Sequence, residues 1–382
     1  MDLDLNEDQR ILRDNIVRFA ENELNQGVAE RDKAHGFGLD QWRKCGELNL
    51  QGLPVPQELG GAGLDALSTA VALEALGYGC ADGGLVFSIC AHLLACVVPI
   101  WKHGSADQHA RYLRKLCDGS LIAVNAMTEP GTGSDAFAMK TRAVPDGAGF
   151  RITGTKIFGS NGPIADLAVV YALTDPAKGF HGGVTCFLVE KGTPGFAPGQ
   201  RFEKLGLRTS PIGELVFDEV YVGPEQIVGK VGGAAPIFAQ SMDWERALLG
   251  ASHLGTMQRV LDKALEYART RRQYNQPIGK YQGVSHKIAD MKVRLEAARG
   301  LAHKAAWKLE RARDAGMYAS IAKLYVSEAL QQAALDLVQI FGGYGFTTEY
   351  DAERILRDSI GSTIYSGTSE IQRNIIARWL GL

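Results

Sequence analysis

Along the first third of the chain, apolar residues recur every three or four positions. In NEDQRILRDNIVRFAENEL, residues 6–24, the side chains of Ile11, Leu12, Ile16, Phe19, Ala20 and Leu24 fall on one stripe, which predicts an amphipathic helix. Asn6 is placed to cap it, and Gln9 stands three residues later, the spacing of a capping box. The same periodicity predicts helices over 39–48, 64–77, 85–98 and 106–116, while Pro and Gly make 54–65 a loop.

The texture changes between residues 122 and 228. FRITGTKIFGS, LAVVYALT, VTCFLVEK and ELVFDEVYV are short and rich in β-branched and aromatic residues, and the turn-like PDGAG and KGFHGG punctuate this stretch. No helical pattern separates the runs, so they predict an antiparallel sandwich or barrel and not a doubly wound sheet. After Gly229 helical periodicity returns in four long amphipathic segments, which contain MDWERALLGAS, YQGVSHKIADM, YASIAKLYVSE and TSEIQRNIIAR. Long helices with short joints suit a four-helix bundle. The expected fold is α+β and mainly α: an N-terminal helical domain over 1–120, a middle antiparallel β domain over 121–229 and a C-terminal helical bundle over 230–382.

Composition changes this picture little. Hydrophobic residues make up 46 % and charged residues 22 % of 382 positions, an ordinary globular balance. The net charge of -2 offers no general field for nucleic acid or an anionic membrane, although ARTRRQ at 268–273 is locally dense in arginine. The six cysteines form no C-x-x-C pair and no metal-spaced His/Cys cluster, so a reducing, cytoplasmic setting without a metal is expected. The start, MDLDLNEDQR, is acidic and lacks the apolar run of a signal peptide. LVFSICAHLLACVV at 85–98 is too short to span a bilayer and is bounded by Gly83-Gly84 and Pro99, so a buried core helix is expected.

No strand–GxGxxG–helix unit and no P-loop occurs. MTEPGTGSDAFAMKTRA, residues 127–143, gathers Pro130, Gly131 and Gly133 with the hydroxyls of Thr128, Thr132 and Ser134. Such glycines let backbone N–H groups approach a ligand's oxygens, and they equally suit a plain turn. Around this loop the chain resembles the acyl-CoA dehydrogenase family. TEPGTGSD, GTKIFGSNGPIAD, LGLRTSPIGELVFDEVYV, ARTRRQYNQPIGKYQGVSHKIADM, DLVQIFGGYGFTTEY, ILRDSIGSTIYSGTSEIQ and IIARWLGL match it in order across the whole length. The resemblance implies the same helix–β–helix fold, FAD as cofactor and a homotetramer. It implies flavin contacts at Met127, Thr128, Gly133, Ser134, Phe158 and Ser160. From a neighbouring subunit it implies contacts to the cofactor at Arg271, Tyr274, Gln339 and Gly343, with further cofactor contacts at Thr368 and Glu370. The family often has tryptophan in place of Phe158 and Ile-Thr in place of Gly159-Ser160, so an altered flavin face is expected here.

The reaction the resemblance implies removes the α-hydrogen of a thioester as a proton, while the β-hydrogen leaves as hydride to flavin N5. A carboxylate in a dry pocket, its pKa raised by burial, serves as the base. STIYSGTSEIQRN, residues 362–374, carries Ser366 where many members have a catalytic glutamate. Isovaleryl-CoA and long-chain acyl-CoA dehydrogenases place the base on the first bundle helix, in a D-x-E-R pattern. MDWERALLGA puts Glu245 there, with Arg246 beside it, among the apolar Met242, Trp244, Ala247, Leu248 and Leu249. Glu245 is therefore expected as the base, and Ser366 as the donor of a backbone N–H to the thioester oxygen. By position, Phe87, Ser88, Ala91, Ser134, Tyr365 and Gly367 are expected around the acyl group, with Phe87 shortening the pocket and His92 in the core.

SMDWERALL, RDSIGSTIYSGTS and GLVFSICAHLLACVVPIWK are most similar to the family's prolyl-carrier-protein dehydrogenases. The implied function is FAD-dependent α,β-oxidation of a small aminoacyl thioester, prolyl on a carrier protein, to a pyrroline or pyrrole thioester. Electrons would pass to a flavoprotein or to oxygen, with no nucleic-acid or membrane partner. The alternatives are a short- or branched-chain acyl-CoA dehydrogenase, and a catalytically silent member that acts as a binding protein. Charge counts do not choose between carrier protein and CoA.

Overall fold

The computed structural model describes residues 4–311 and 313–382. Residues 1–3, the start of the acidic N-terminal stretch, lie outside the described residues. Helix α1 (Glu7–Glu23) begins with the expected box: the Asn6 side chain accepts from the Gln9 N–H at 2.8 Å, and the Gln9 side chain accepts from the Asn6 N–H at 3.2 Å. Its stripe is buried at Ile16 and Ala20 and continues to Leu24, whereas Ile11, at the stripe's edge, is 53 % exposed. After two shorter helices, Val28–Ala34 and the expected Leu39–Glu47, come α2 (Ala66–Gly79) and α3 (Gly83–His103).

The periodicity ended α3 before Pro99, but the helix runs on to His103. A π turn over Leu93–Val97 shifts the hydrogen-bond ladder just ahead of the proline. Pro99 then sits in the first turn of the next helical stretch, where its missing N–H costs least. Among the described residues α3 is the one helix long and apolar enough to cross a membrane. It is packed inside the fold, with Leu85, Ile89, Leu93, Leu94 and Val97 fully enclosed. A second π turn, His109–Leu113, shifts the ladder in the same way inside the helix expected over 106–116, which runs from Ala106 to Cys117.

The middle region is one eight-stranded sheet: β1 (Ala123–Ala126), β2 (Arg142–Asp146), β3 (Gly149–Ser160), β4 (Leu167–Leu173), β5 (Val184–Glu190), β6 (Phe196–Phe202), β7 (Ile212–Val222) and β8 (Ile227–Val228). Its order is β6-β7-β3-β2-β4-β5-β8, with β1 on β4. Most pairs are antiparallel, as expected. The exception is β4, whose one edge takes β1 and the Arg142 end of β2 in parallel. The loop that follows β1 and the β2–β3 hairpin lie between β1 and β4, so the chain returns beside β1 in its starting direction. The sheet is therefore mixed.

Three long helices follow, α4 (Ala234–Thr270), α5 (Gln282–Leu309) and α6 (Ala315–Phe341). The fourth segment is one short helix, α8 (Ser369–Trp379), preceded by another that was not expected, α7 (Ala352–Ile360), and the 361–368 turn between them carries Ser366. The first half of α4 belongs to the core of the N-terminal helices through Trp244, Ala247 and Leu248, and its second half to the bundle core through Leu254, Val260 and Leu261. Where α4 crosses α2 the backbones touch. A β-carbon on Gly255 would lie 2.0 Å from the Glu74 carbonyl oxygen, and one on Gly77 1.9 Å from that of Ser252. Gly255→Ala is expected to push these helices apart and cost about 1–3 kcal/mol of stability, read by thermal or urea unfolding.

Candidate active site

Glu245 lies in the part of α4 that faces the N-terminal helices and is 9 % exposed. Burial pushes its carboxyl above the usual carboxylate range; a hydrogen bond from Ser366 and the charges of Arg246 and Lys323 oppose that shift. The Ser366 hydroxyl donates to Oε1 of Glu245. The turn that delivers it is left-handed at two successive residues, with φ of 57° at Ser366 and 87° at Gly367. Gly367 is required there: a β-carbon would meet the Gln372 side chain at 2.8 Å.

Three side chains grip the outer carbonyls of this turn. Arg246 Nε donates to the Ser366 oxygen at 3.2 Å, and Gln372 Nε2 donates to the Ser366 and Gly367 oxygens at 3.0 and 2.9 Å. Lys323 Nζ, on α6, donates to the Gly367 oxygen at 2.7 Å. Lys323 is 5 % exposed, and burial, with Arg246 nearby, lowers its pKa to about 8. Among the described residues the Ser366 N–H has no acceptor within the chain. A backbone donor left open beside a buried carboxylate is what an enolising thioester needs.

Phe87 and Ala91 stand one turn apart on α3, both partly open. Phe87 meets the Tyr365 ring at 4.6 Å between centroids, and the Tyr365 hydroxyl meets His253 Nε2 at 3.0 Å. His253 is two turns beyond Glu245 on the same face of α4, and burial lowers its pKa to about 4, so the ring is neutral. Phe87, Tyr365 and His253 form a line of contacts that joins the Ser366 turn to α3 and α4, with Tyr365 close enough to Glu245 to feel its charge. Ser88 is not part of it. It is fully buried, its hydroxyl is bonded to Ser210 at 2.8 Å and its carbonyl to Asn161 at 3.1 Å, because it is on the face of α3 that packs on the sheet. His92 is a core residue held between the Leu116 carbonyl and the Ala123 N–H.

The Asn161 tie fixes α3 to the end of β3, where Phe158 and Ser160 stand. Met127 and Thr128 are brought to the same place, since the Thr128 carbonyl accepts from the Ile157 N–H at 2.8 Å. Beneath them is an ion pair that the motif reading did not find. Glu129 accepts from Lys156 Nζ at 2.9 Å and from the N–H groups of Lys140 and Thr141 at 2.6 and 2.9 Å. Lys156 also donates to the Met127 carbonyl at 3.0 Å, and both charged side chains are buried. Burial opposes ionisation of Glu129, but Lys156 and these hydrogen bonds outweigh it and hold its carboxyl below the usual range. The glycine loop is thereby pinned to β3.

Above that platform Phe158 adopts φ of 56° and leaves 57 % of its surface open. β-Carbons on Gly131 and Gly133 would meet nothing within 4 Å, and the buried Thr132 hydroxyl has no partner among the described residues. An open aromatic face beside open glycine backbone and an unsatisfied hydroxyl fits a flat, polar-edged ring system. Ser134 is exposed on the same loop. Thr368 caps α8 by accepting from the Ile371 N–H at 3.3 Å, with Glu370 exposed in its first turn.

Arg271, Tyr274, Gln339 and Gly343 are elsewhere. Arg271 is 26 residues beyond Glu245 at the far end of one continuous helix, about 39 Å away at the α-helical rise. They are exposed, Tyr274 by 91 %, and Arg271 lies over the Tyr344 ring at 5.4 Å. At that distance they do not serve the Glu245 site of their own chain.

The sequence reading missed Glu129, Lys156, His253, Lys323 and Gln372. His253 carried a signal, eight residues from Glu245 and so on its face. Lys323, a single lysine in the apolar run YASIAKLYV, is indistinguishable in text from one that reaches to solvent.

Family models match the chain nearly end to end: the acyl-CoA dehydrogenase N-terminal domain over 6–120, the middle domain over 125–220 and the C-terminal domain over 235–381. An L-prolyl-[peptidyl-carrier protein] dehydrogenase of a Serratia species is 42 % identical over 382 residues, covering 100 % of this chain and 99 % of that protein. Another, from Pseudomonas fluorescens, is 45 % identical over 91 % of each chain. The solved structure of PigA with FAD and proline aligns over all of both chains, with a TM-score of 0.97 and 42 % identity.

Proposed function

The chain belongs to the acyl-CoA dehydrogenase family, and from that premise we propose that it oxidises a prolyl thioester carried on a carrier protein, with FAD as its cofactor. The observation that carries the reading is Glu245, buried and held by Ser366, whose backbone N–H is open, in a turn whose Tyr365 packs on Phe87. The similarity to two prolyl-carrier-protein dehydrogenases, and to a structure holding FAD and proline, supports it.

Met127, Thr128, Gly133, Ser134, Phe158 and Ser160 would hold the flavin ring, with Thr368 and Glu370 at its edge. Arg271, Tyr274, Gln339 and Gly343 would serve a neighbouring subunit of a homotetramer. Bound FAD supplies the acceptor for the hydride that leaves the β-carbon. Glu245 takes the proton from the α-carbon, and its burial keeps water from competing for the carboxylate. As the C–H bond breaks, charge moves to the thioester oxygen, and the Ser366 N–H receives it. The grip of Arg246, Lys323 and Gln372 fixes that donor beforehand. It would act in the cytoplasm and pass its electrons to a flavoprotein or to oxygen.

Proton removal needs Glu245 ionised, so activity falls as pH drops through its pKa. Because burial raises that value, the acid limb of the rate profile is expected above the ordinary carboxylate range, near pH 4.3 for a free glutamate. Anaerobic flavin bleaching by prolyl-loaded carrier protein, followed across pH, tests both the substrate and the limb. A limb within the ordinary carboxylate range would contradict the buried base.

A further inference from the structure

We infer that the Ser366 hydroxyl is a positioning residue for the base: it holds one carboxylate oxygen of Glu245, turns the other toward the substrate and sets the pH at which the carboxylate becomes available. The inference rests on Glu245 being the base in the proposed function. It adds a side-chain task to a residue whose backbone N–H alone would serve the thioester.

The geometry argues for the side chain. At φ of 57° glycine is free of strain and serine is not, so an N–H donor by itself would be met more easily by glycine. The serine side chain at this position is in use: its hydroxyl donates to Oε1 of Glu245. It has little freedom to do otherwise. The carbonyl of its own residue is held by Arg246 and Gln372, and that of the next by Lys323 and Gln372. With Oε1 engaged, Oε2 keeps its lone pairs for the α-proton.

The groups facing Glu245 come from every element around it. Arg246 on α4 and Lys323 on α6 are positive. Cys90 and Cys96 on α3, Tyr171 on β4 and Tyr365 in the turn are held neutral by burial, their pKa values all raised. Among the described residues Ser366 is the one group that hydrogen-bonds the carboxylate directly. It favours the charged form, so its removal leaves burial less opposed and the carboxylate harder to ionise.

The test uses Ser366→Ala and Ser366→Gly in the FAD-loaded enzyme. In both, the acid limb of anaerobic bleaching is expected to move up by about 1–2 pH units, the effect of one hydrogen bond to a charged acceptor. The infrared carboxyl band of Glu245, assigned by its loss in Glu245→Gln, should titrate with the same displacement in the absence of substrate. Ser366→Gly separates the hydroxyl from backbone strain, because it relaxes the turn. An acid limb and a carboxyl band unmoved in both variants would overturn the inference while leaving the base in place. A shift in the alanine variant alone would also overturn it, by assigning the effect to strain. Parental activity in Glu245→Gln would remove the base, and the inference with it.

Discussion

Glu245→Gln is expected to bind flavin and melt like the parent, yet to lose bleaching by its thioester substrate by about 10²–10⁴-fold, the usual contribution of a positioned general base. The substitution keeps the shape of the side chain and an oxygen that can accept from Ser366. It removes only the group able to take a proton. Rapid-mixing measurement of flavin absorbance without oxygen reads the step directly. The loss should appear in the bleaching rate at saturating substrate and much less in the concentration needed for saturation, because Glu245 is invoked for the transition state and not for binding.

The second large effect is structural. Glu129→Ala leaves Lys156 buried with no counter-charge, and frees the Lys140 and Thr141 N–H groups that Glu129 accepts. Breaking a buried pair by removing one partner costs about 3–5 kcal/mol. Unfolding of the Glu129→Ala protein should register that loss, and flavin should bind more weakly, since the Met127–Ser134 loop loses its anchor. Replacing both residues, Glu129→Met with Lys156→Met, should recover much of the stability, because no charge is then left unpaired. A double replacement as unstable as the sum of the single ones would show that the ion pair is not the unit that holds the loop. The parent also carries a pH signature. Glu129 is depressed in the folded state, so its stabilisation is present above the unfolded value near pH 4.3 and is lost as pH falls through the folded one.

Much of this was legible in the sequence where a residue's period or its partner in a motif decided its place. The Asn6–Gln9 box, the strands over Gly149–Ser160 and Ile212–Val222, and the burial of Glu245 among Trp244, Ala247 and Leu248 are of this kind. The edge strand Phe196–Phe202 was not legible, because FAPGQRF contains Pro and Gly and is largely exposed, so it lacks alternation. The course of α3 through Pro99 depended on a π turn that no local residue announces. Ser88 looked like a pocket residue beside Phe87, but adjacent residues on a helix point about a quarter-turn apart, and the sheet took that face. Lys323 and Gln372 were hidden for another reason. Their acceptors are backbone carbonyls many residues or a whole turn away, and such acceptors have no side-chain identity to search for.

The measurement that bears most directly on the proposed reaction is an anaerobic titration of the FAD-loaded protein with prolyl-loaded carrier protein, compared with butyryl-CoA and isovaleryl-CoA. Absorbance and the mass of the carrier-bound product are read together. Full bleaching by the prolyl carrier, with loss of hydrogens from the proline ring and little reaction with either CoA ester, is the predicted result. Bleaching by the CoA esters with the prolyl carrier untouched would contradict it.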